Sequence, residues 1–569
     1  MRSISPLFLT VAFVLVIKCS SGIPFTDRKN AVNQASFAFA KIFQSHMVLQ
    51  MEPARANIFG FSSSVGATVN AELVTPTKTY TYSATVQPGV GGASGSWIVE
   101  LDPQNADTPA NISVTSQGTT LTLTDVIFGD VWICSGQSNM QFPVSQMFDA
   151  AEERADINYP NIRMFIVGDR DSATPLDDIV DIWLPWTSPN SNSIGNFAAV
   201  CWVFGKNLHK ALGYSIGLVD NSWGGTIIEA WSSPEALAKC GVKSSSRSEK
   251  QSPSNGEQLW VSNQHRPIDY RKLAKEHDMR LRQPQTNSVI WNGIVHPLLK
   301  MTIKGVIWYQ GESDSDWGVM MNRYNCTFPA MISDWRKNFN QASNKQTDGS
   351  FPFGFVQLAP NDNRPDTSVG FPDIRWHQTA DHGFAPNPVI PNTFMAVAID
   401  LPDFASPYGS IHPRYKKEVG DRLSLAGLAV AYGRQEVYQG PYPSKGEILA
   451  NGVKISYGPS STLEIKNISG FELLCSNTWT ATNISSSDTS SVTLNNVCST
   501  GSSVEGVRYA WRESPCSLKA CAVYEKVNEL PAPPFILKFV TDDRGKMYLD
   551  VDNPVINVVS PKTAAKDHH

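Results

Sequence analysis

The stretch VIFGDVWICSGQSNMQ, residues 126–141, decides how this chain is read. Val126, Ile127, Phe128, Val131, Trp132 and Ile133 form an apolar, β-prone run without strict alternation. Such a run fits a strand buried on both faces. It leads straight into the small polar cluster Gly136-Gln137-Ser138-Asn139. In open α/β sheets, ligands bind beyond the carboxyl ends of the strands. A serine on a tight turn at that edge is placed for chemistry.

Working outward, the same texture continues to about residue 435. The strand candidates are YSIGLVD (214–220), KGVIWYQ (304–310), FGFVQLA (353–359) and FMAVAID (394–400). They alternate with the helical patterns AVCWVFGKNLHKAL (199–212), FPAMISDWRKNF (328–339) and PRYKKEVGDRLSLAGLAVAYG (413–433). In the last, Pro413 suits a first helical position, and Val419, Leu423, Ala426 and Val430 share an apolar face. The alternation predicts an α/β unit over 126–435, with a parallel sheet covered by helices. Residues 23–125 read as a β-sandwich-like unit, from segments such as ATVNAELV, TYTYSATV and SWIVELD parted by turn residues. Residues 436–569 are again turn-rich and β-like. LPAPPF (530–535) reads there as an extended tie or edge, and 240–285 as a polar surface insertion.

A chain of 569 residues exceeds one hydrophobic core, so two to four domains are expected. Hydrophobic content of 41% and charged content of 17% are those of an ordinary folded protein. Residues 1–22 read as a secretory signal: Arg2, an apolar run from Leu7 to Ile17, then Ser20-Ser21-Gly22. Loss of Arg2 and Lys18 with it takes the formal charge from −5 to −7, which excludes a basic nucleic-acid surface. No later apolar run is long enough for a stable membrane anchor. Of nine cysteines, Cys19 falls in the signal; the even number left suggests disulfides of unreadable connectivity. The sequons at Asn111, Asn325, Asn467 and Asn483 predict glycosylation, and with the cysteines they point to a secreted or lysosomal protein.

The predicted strand ends gather a compact set. They deliver Ser138; Trp223, Gly224, Gly225 and Thr226; Gln310, Gly311, Glu312 and Ser313; Asp400 and Asp403; and His412 from the loop before the last helix. A nucleophile, a base, carboxylates and N–H donors on one edge are what acyl transfer needs. The G-x-S-x-G elbow is absent, since Met140 holds the second glycine's place. Gln137 and Asn139 either brace the serine turn or donate to substrate. His377 and His382 lack a metal-ligand pattern, and Glu312 is read as a structural hydrogen-bonding group.

GQSNM (136–140), SWGGT (222–226), WYQGES (308–313) and SIHP (410–413), in this order, resemble the sialate O-acetylesterases of the SGNH hydrolase superfamily. MVLQ (47–50), FGDVW (128–132), EAWSS (229–233), IRWHQTAD (374–381) and NTFMAVA (392–398) extend the likeness over nearly the whole mature chain. The resemblance implies a flavodoxin-like three-layer α/β domain with flanking β domains. It also implies removal of O-acetyl groups from sialic acids, with no metal or organic cofactor. Ser138 is then the nucleophile and His412 the base. The oxyanion is held by the N–H groups of Ser138 and Gly225 (or Gly224) and by the Gln310 amide. Where relatives place an aspartate two or three residues before the histidine, this chain has Ser410 and Gly409. Asp403, Asp400 or a backbone carbonyl is left to orient His412. Arg375, Trp223 and Asn292 are candidates for touching a sialic acid. An esterase of another acetylated carbohydrate, such as xylan, and a decayed sialoglycan-binding protein remain alternatives.

Overall fold

A computed structural model describes residues 37–89, 95–243, 284–315, 318–458, 462–499, 502–541 and 547–549. The expected signal, and all but the ends of the expected polar insertion, lie outside these residues.

The long strand β1 (Thr119–Gly136) organises the molecule. Its first half pairs antiparallel with Pro109–Ser116, which pairs with Thr68–Val74, itself paired with Thr79–Thr85. Its second half lies between β4 (Ile216–Asp220) and β5 (Gly305–Tyr309), parallel to both. The boundary expected at 125–126 therefore falls inside one strand, and the two units share backbone hydrogen bonds.

The main sheet also contains β2 (Ile162–Val167), the antiparallel edge β3 (Ile182–Thr187), β6 (Phe353–Gln357) and β7 (Thr393–Val397). Its order is β3-β2-β4-β1-β5-β6-β7. The edge strand β3 and its neighbour β2 are not among the expected strands, although IRMFIV (162–167) is an apolar run. The helices α2 (Ala199–Leu212) and α4 (Lys416–Tyr432) pack on one face, where Trp132 and Phe204 meet at 5.0 Å. Helix α3 (Tyr324–Ala342) covers the other, with Phe328 5.3 Å from Phe355. The chain leaves β1 toward one side of the sheet and later crosses to β5 on the other. In open α/β sheets such a reversal marks where ligands bind, beyond the carboxyl end of the strand, here β1.

Two details differ from the sequence reading. Helix α4 begins at Lys416, so Pro413 precedes it rather than opening it. The cause is Asp403, which accepts the Arg414 N–H at 3.1 Å and its guanidinium at 2.7 and 3.0 Å, drawing that segment into the loop. The eight cysteines pair as Cys134–Cys201, Cys240–Cys326, Cys475–Cys498 and Cys516–Cys521. The first ties the end of β1 to α2. Beyond α4, the described residues between 443 and 549 form further β-sheets. This part is bound to the α/β unit through Arg375, which donates to the Arg512 and Glu513 carbonyls.

Candidate active site

Ser138 opens the short helix α1 (Ser138–Gln141), directly beyond β1. Gly136 makes the turn possible: its φ is +127°, and a Cβ there would fall 2.3 Å from the Tyr309 carbonyl oxygen. The Gln137 N–H donates to that same carbonyl at 2.9 Å. The Gln137 Oε1 accepts the Ser313 N–H at 3.2 Å and the Gly311 N–H at 3.4 Å. From the other side, the Trp223 N–H donates to the Gly136 carbonyl at 2.9 Å, and the Gly224 N–H to Gln141 Oε1 at 3.1 Å. The loops after β4 and β5 thus clasp the serine turn, and Ser138 itself stays half-buried.

His412 lies in the buried loop ahead of α4, 7% exposed. Its Nδ1 is 2.8 Å from the Tyr408 carbonyl. A carbonyl only accepts, so Nδ1 carries the proton and Nε2 is the basic nitrogen. Burial pushes the imidazole down to about 4, against the Tyr408 bond and with help from the Lys416 charge. The ring is therefore neutral at pH 7, as a general base must be. Asn139 connects the two residues: its Nδ2 donates to the Ile411 carbonyl at 2.8 Å.

Several expected residues are engaged elsewhere. Gln310 is fully buried; its amide hydrogens go to the Thr226 carbonyl at 3.1 Å and to Asp314 Oδ2, and its Oε1 accepts from Tyr324. It has no hydrogen left for an oxyanion. Asp403 is held by Arg414. Asp400 is held by Arg422 at 2.6 and 2.9 Å and by the Tyr524 hydroxyl at 3.0 Å. Both are spent on structural ion pairs, and a carbonyl takes the orienting position at His412. Arg375 is fully buried, with its three donating groups on backbone carbonyls, one of them Leu358 at 2.8 Å. The Trp223 ring is packed in the core. Asn292 sits in a π-turn and donates to the Ser172 carbonyl at 3.1 Å. Each Arg375 nitrogen is thus taken by a carbonyl, while Asn292 Oδ1 is buried without a hydrogen-bond partner.

The sequence reading also missed groups. Lys416 is completely buried, and its Nζ donates to Asn139 Oδ1 at 2.5 Å. It stands three and seven residues before Val419 and Leu423, in register with the apolar face of α4. A charge on such a stripe was the available signal. Tyr408 acts through its backbone carbonyl, which no side-chain pattern reveals.

Comparison with known proteins places the chain in a family. Residues 287–402 match the family described as carbohydrate esterase, sialic acid-specific acetylesterase, and 446–539 match the sialate O-acetylesterase C-terminal domain. The mouse sialate O-acetylesterase is 43% identical over 88% of this chain and 94% of its own length. The human one is 42% identical over 91% and 95%. The chain belongs to the sialate O-acetylesterase family. A carbohydrate acetylesterase from Xanthomonas citri superposes with a TM-score of 0.68 at 25% identity, covering 89% of this sialate O-acetylesterase family member and all of that chain.

Proposed function

We propose that this protein is a serine esterase that hydrolyses O-acetyl esters of sialic acids, including the 9-O-acetyl ester, and releases acetate. The fixed tautomer of His412 carries the mechanistic reading: it directs a neutral, basic Nε2 away from Tyr408. Ser138 Oγ attacks the acetyl carbonyl while His412 Nε2 takes its proton. The negative charge that develops on the carbonyl oxygen is met by the N–H groups of Ser138 and Gly225. A donor of this kind contributes about 3 kcal/mol to lowering the barrier. His412 returns the proton to the departing sugar hydroxyl, freeing the deacetylated sialic acid. It then activates the water that cleaves the acetyl-serine.

The strand order β4-β1-β5-β6-β7 supports reading 126–435 as a flavodoxin-like three-layer SGNH domain, flanked by β-rich units at 23–125 and 436–569. Four disulfides favour the secretory route; no helix among the described residues is long and apolar enough to cross a membrane. Asn111, Asn467 and Asn483 are exposed and are the favoured glycosylation sites. Asn325 lies half-buried on α3, with its amide on Asp381 at 2.7 Å.

Acetate release from 9-O-acetylated sialic acid, with Ser138→Ala beside the wild type, tests the proposal. The wild type is expected to release acetate and the variant to lose several orders of magnitude in kcat. A folded wild-type protein without activity would overturn it. The name of the Xanthomonas citri protein motivates a second reading, an esterase of another acetylated carbohydrate; preference for acetylated xylan over the sialic acid ester would favour it.

A further inference from the structure

Three elements of the site converge on one buried amide. Asn139 comes from the turn after β1, Glu312 from the turn Glu312–Asp314 after β5, and Lys416 from the first position of α4. Lys416 has only hydrogens to give, so the Asn139 atom facing it at 2.5 Å is Oδ1. This sends both amide hydrogens to acceptors, Glu312 Oε1 at 2.5 Å and the Ile411 carbonyl at 2.8 Å. All three side chains are buried.

We propose that Asn139, Glu312 and Lys416 are positioning residues for His412, a buried chain that locks the histidine loop onto the serine turn and brings a lysine within one bridging amide of the Ile411 carbonyl that precedes the histidine. The proposal rests on the Ser138–His412 reading above and deepens it. Triad carboxylates usually orient the base and stabilise its cation. Here Nδ1 faces a neutral carbonyl, and Asp403 and Asp400 are bound to arginines. Orientation comes instead from the Asn139–Ile411 bond together with the Tyr408 carbonyl. The charge near the ring is of opposite sign to that of a triad aspartate.

The groups facing Lys416 are Asn139, Glu312 and Asp403, with the Phe142 ring at 4.7 Å and the Tyr309 ring at 5.3 Å. Burial draws Lys416 down to about 7, opposed by Glu312 and Asp403. It is thus a cation throughout the acid range. There it disfavours imidazolium and keeps His412 ready to accept the serine proton.

The pH profile of kcat/KM on 9-O-acetylated sialic acid tests this, because its acid limb reports the base in the free enzyme. Lys416→Met is expected to move that limb upward by about half a pH unit or more. Lys416→Arg keeps the charge and is expected to leave the limb at the wild-type position. A folded Lys416→Met whose limb coincides with the wild type, with only the plateau lowered, would overturn the proposal. Should that variant not fold, the wild type still decides: a limb at or above the ordinary histidine value of about 6.5 overturns it. No acetate release by the wild type, or full activity of Ser138→Ala, would instead indict the esterase reading.

Discussion

The Asn139 side chain donates to the Ile411 carbonyl at 2.8 Å, joining the residue after Ser138 to the residue before His412. A hydrogen bond between two segments far apart in sequence thereby ties the turn of the proposed nucleophile to the loop of the proposed base. Asn139→Leu preserves bulk but strands Glu312, Lys416 and the Ile411 carbonyl. A stability loss of about 3 kcal/mol is expected in denaturant unfolding. In the folded fraction, kcat is expected to fall at least about tenfold with little change in KM, because the side chain orients groups without touching substrate.

Gln310 separates a structural from a catalytic role. Gln310→Met leaves the Thr226 carbonyl, Asp314 and the Tyr324 hydroxyl without their partner. The expected result is a destabilisation of about 2–4 kcal/mol. An oxyanion donor would instead lose roughly 100- to 1,000-fold in kcat. Thermal melts and kcat measured on the same preparation distinguish the two.

Gly224 leaves almost no room beside the serine. A Cβ there would lie 3.2 Å from Gln141 Oε1 and 3.3 Å from Ser138 Cβ. Gly224→Ala is expected to push the nucleophile aside and lower kcat/KM about tenfold or more, with stability changed by less than about 1.5 kcal/mol. Steady-state kinetics and a melt check both parts.

Glu229 and Asp314 form a buried acidic pair behind the loop that carries Gly225. Burial raises both carboxyls, and the Glu229 charge further raises Asp314. The folded protein therefore holds protons that the unfolded chain releases. Stability falls as pH climbs from the ordinary carboxylate range toward the raised folded values. Glu229→Gln removes one of these titrations, and its Tm is expected to drop less than that of the wild type between pH 5 and pH 8.

Asp400 is an anchor for Arg422 and the Tyr524 hydroxyl. Asp400→Asn is expected to cost about 3–5 kcal/mol, because it leaves a buried guanidinium without its counter-charge. The acid limb of kcat/KM should stay in place, whereas loss of a true triad carboxylate would shift it. Urea unfolding and a pH profile decide.

The α/β unit was legible because its strands are apolar runs and its helices carry a 3.6-residue period. The segment 199–212 was read to the residue. The serine turn, the glycine loop and His412 were legible as strand-end residues. What escaped depends on pairings remote in sequence. Arg375 looked free until its partners at 512 and 513 folded against it, and Asp403 looked like an orienter until Arg414 took both its oxygens. The orienter that is present is a main-chain carbonyl, which any residue type supplies. Strand β1 hid a boundary because one continuous strand serves two sheets.

The bond between Cys240 and Cys326 closes a loop that lies, along the chain, between Ser138 and His412, the proposed nucleophile and base. A protease cut anywhere between these cysteines would put Ser138 on one polypeptide and His412 on another. The fragments would still travel as a single covalent unit, held further, for a cut ahead of residue 305, by the strand pairing of β1 with β5. On a gel such an enzyme would run as one band without reductant and as two with it. Reducing agent would thereby expose a severed backbone that activity assays alone would overlook.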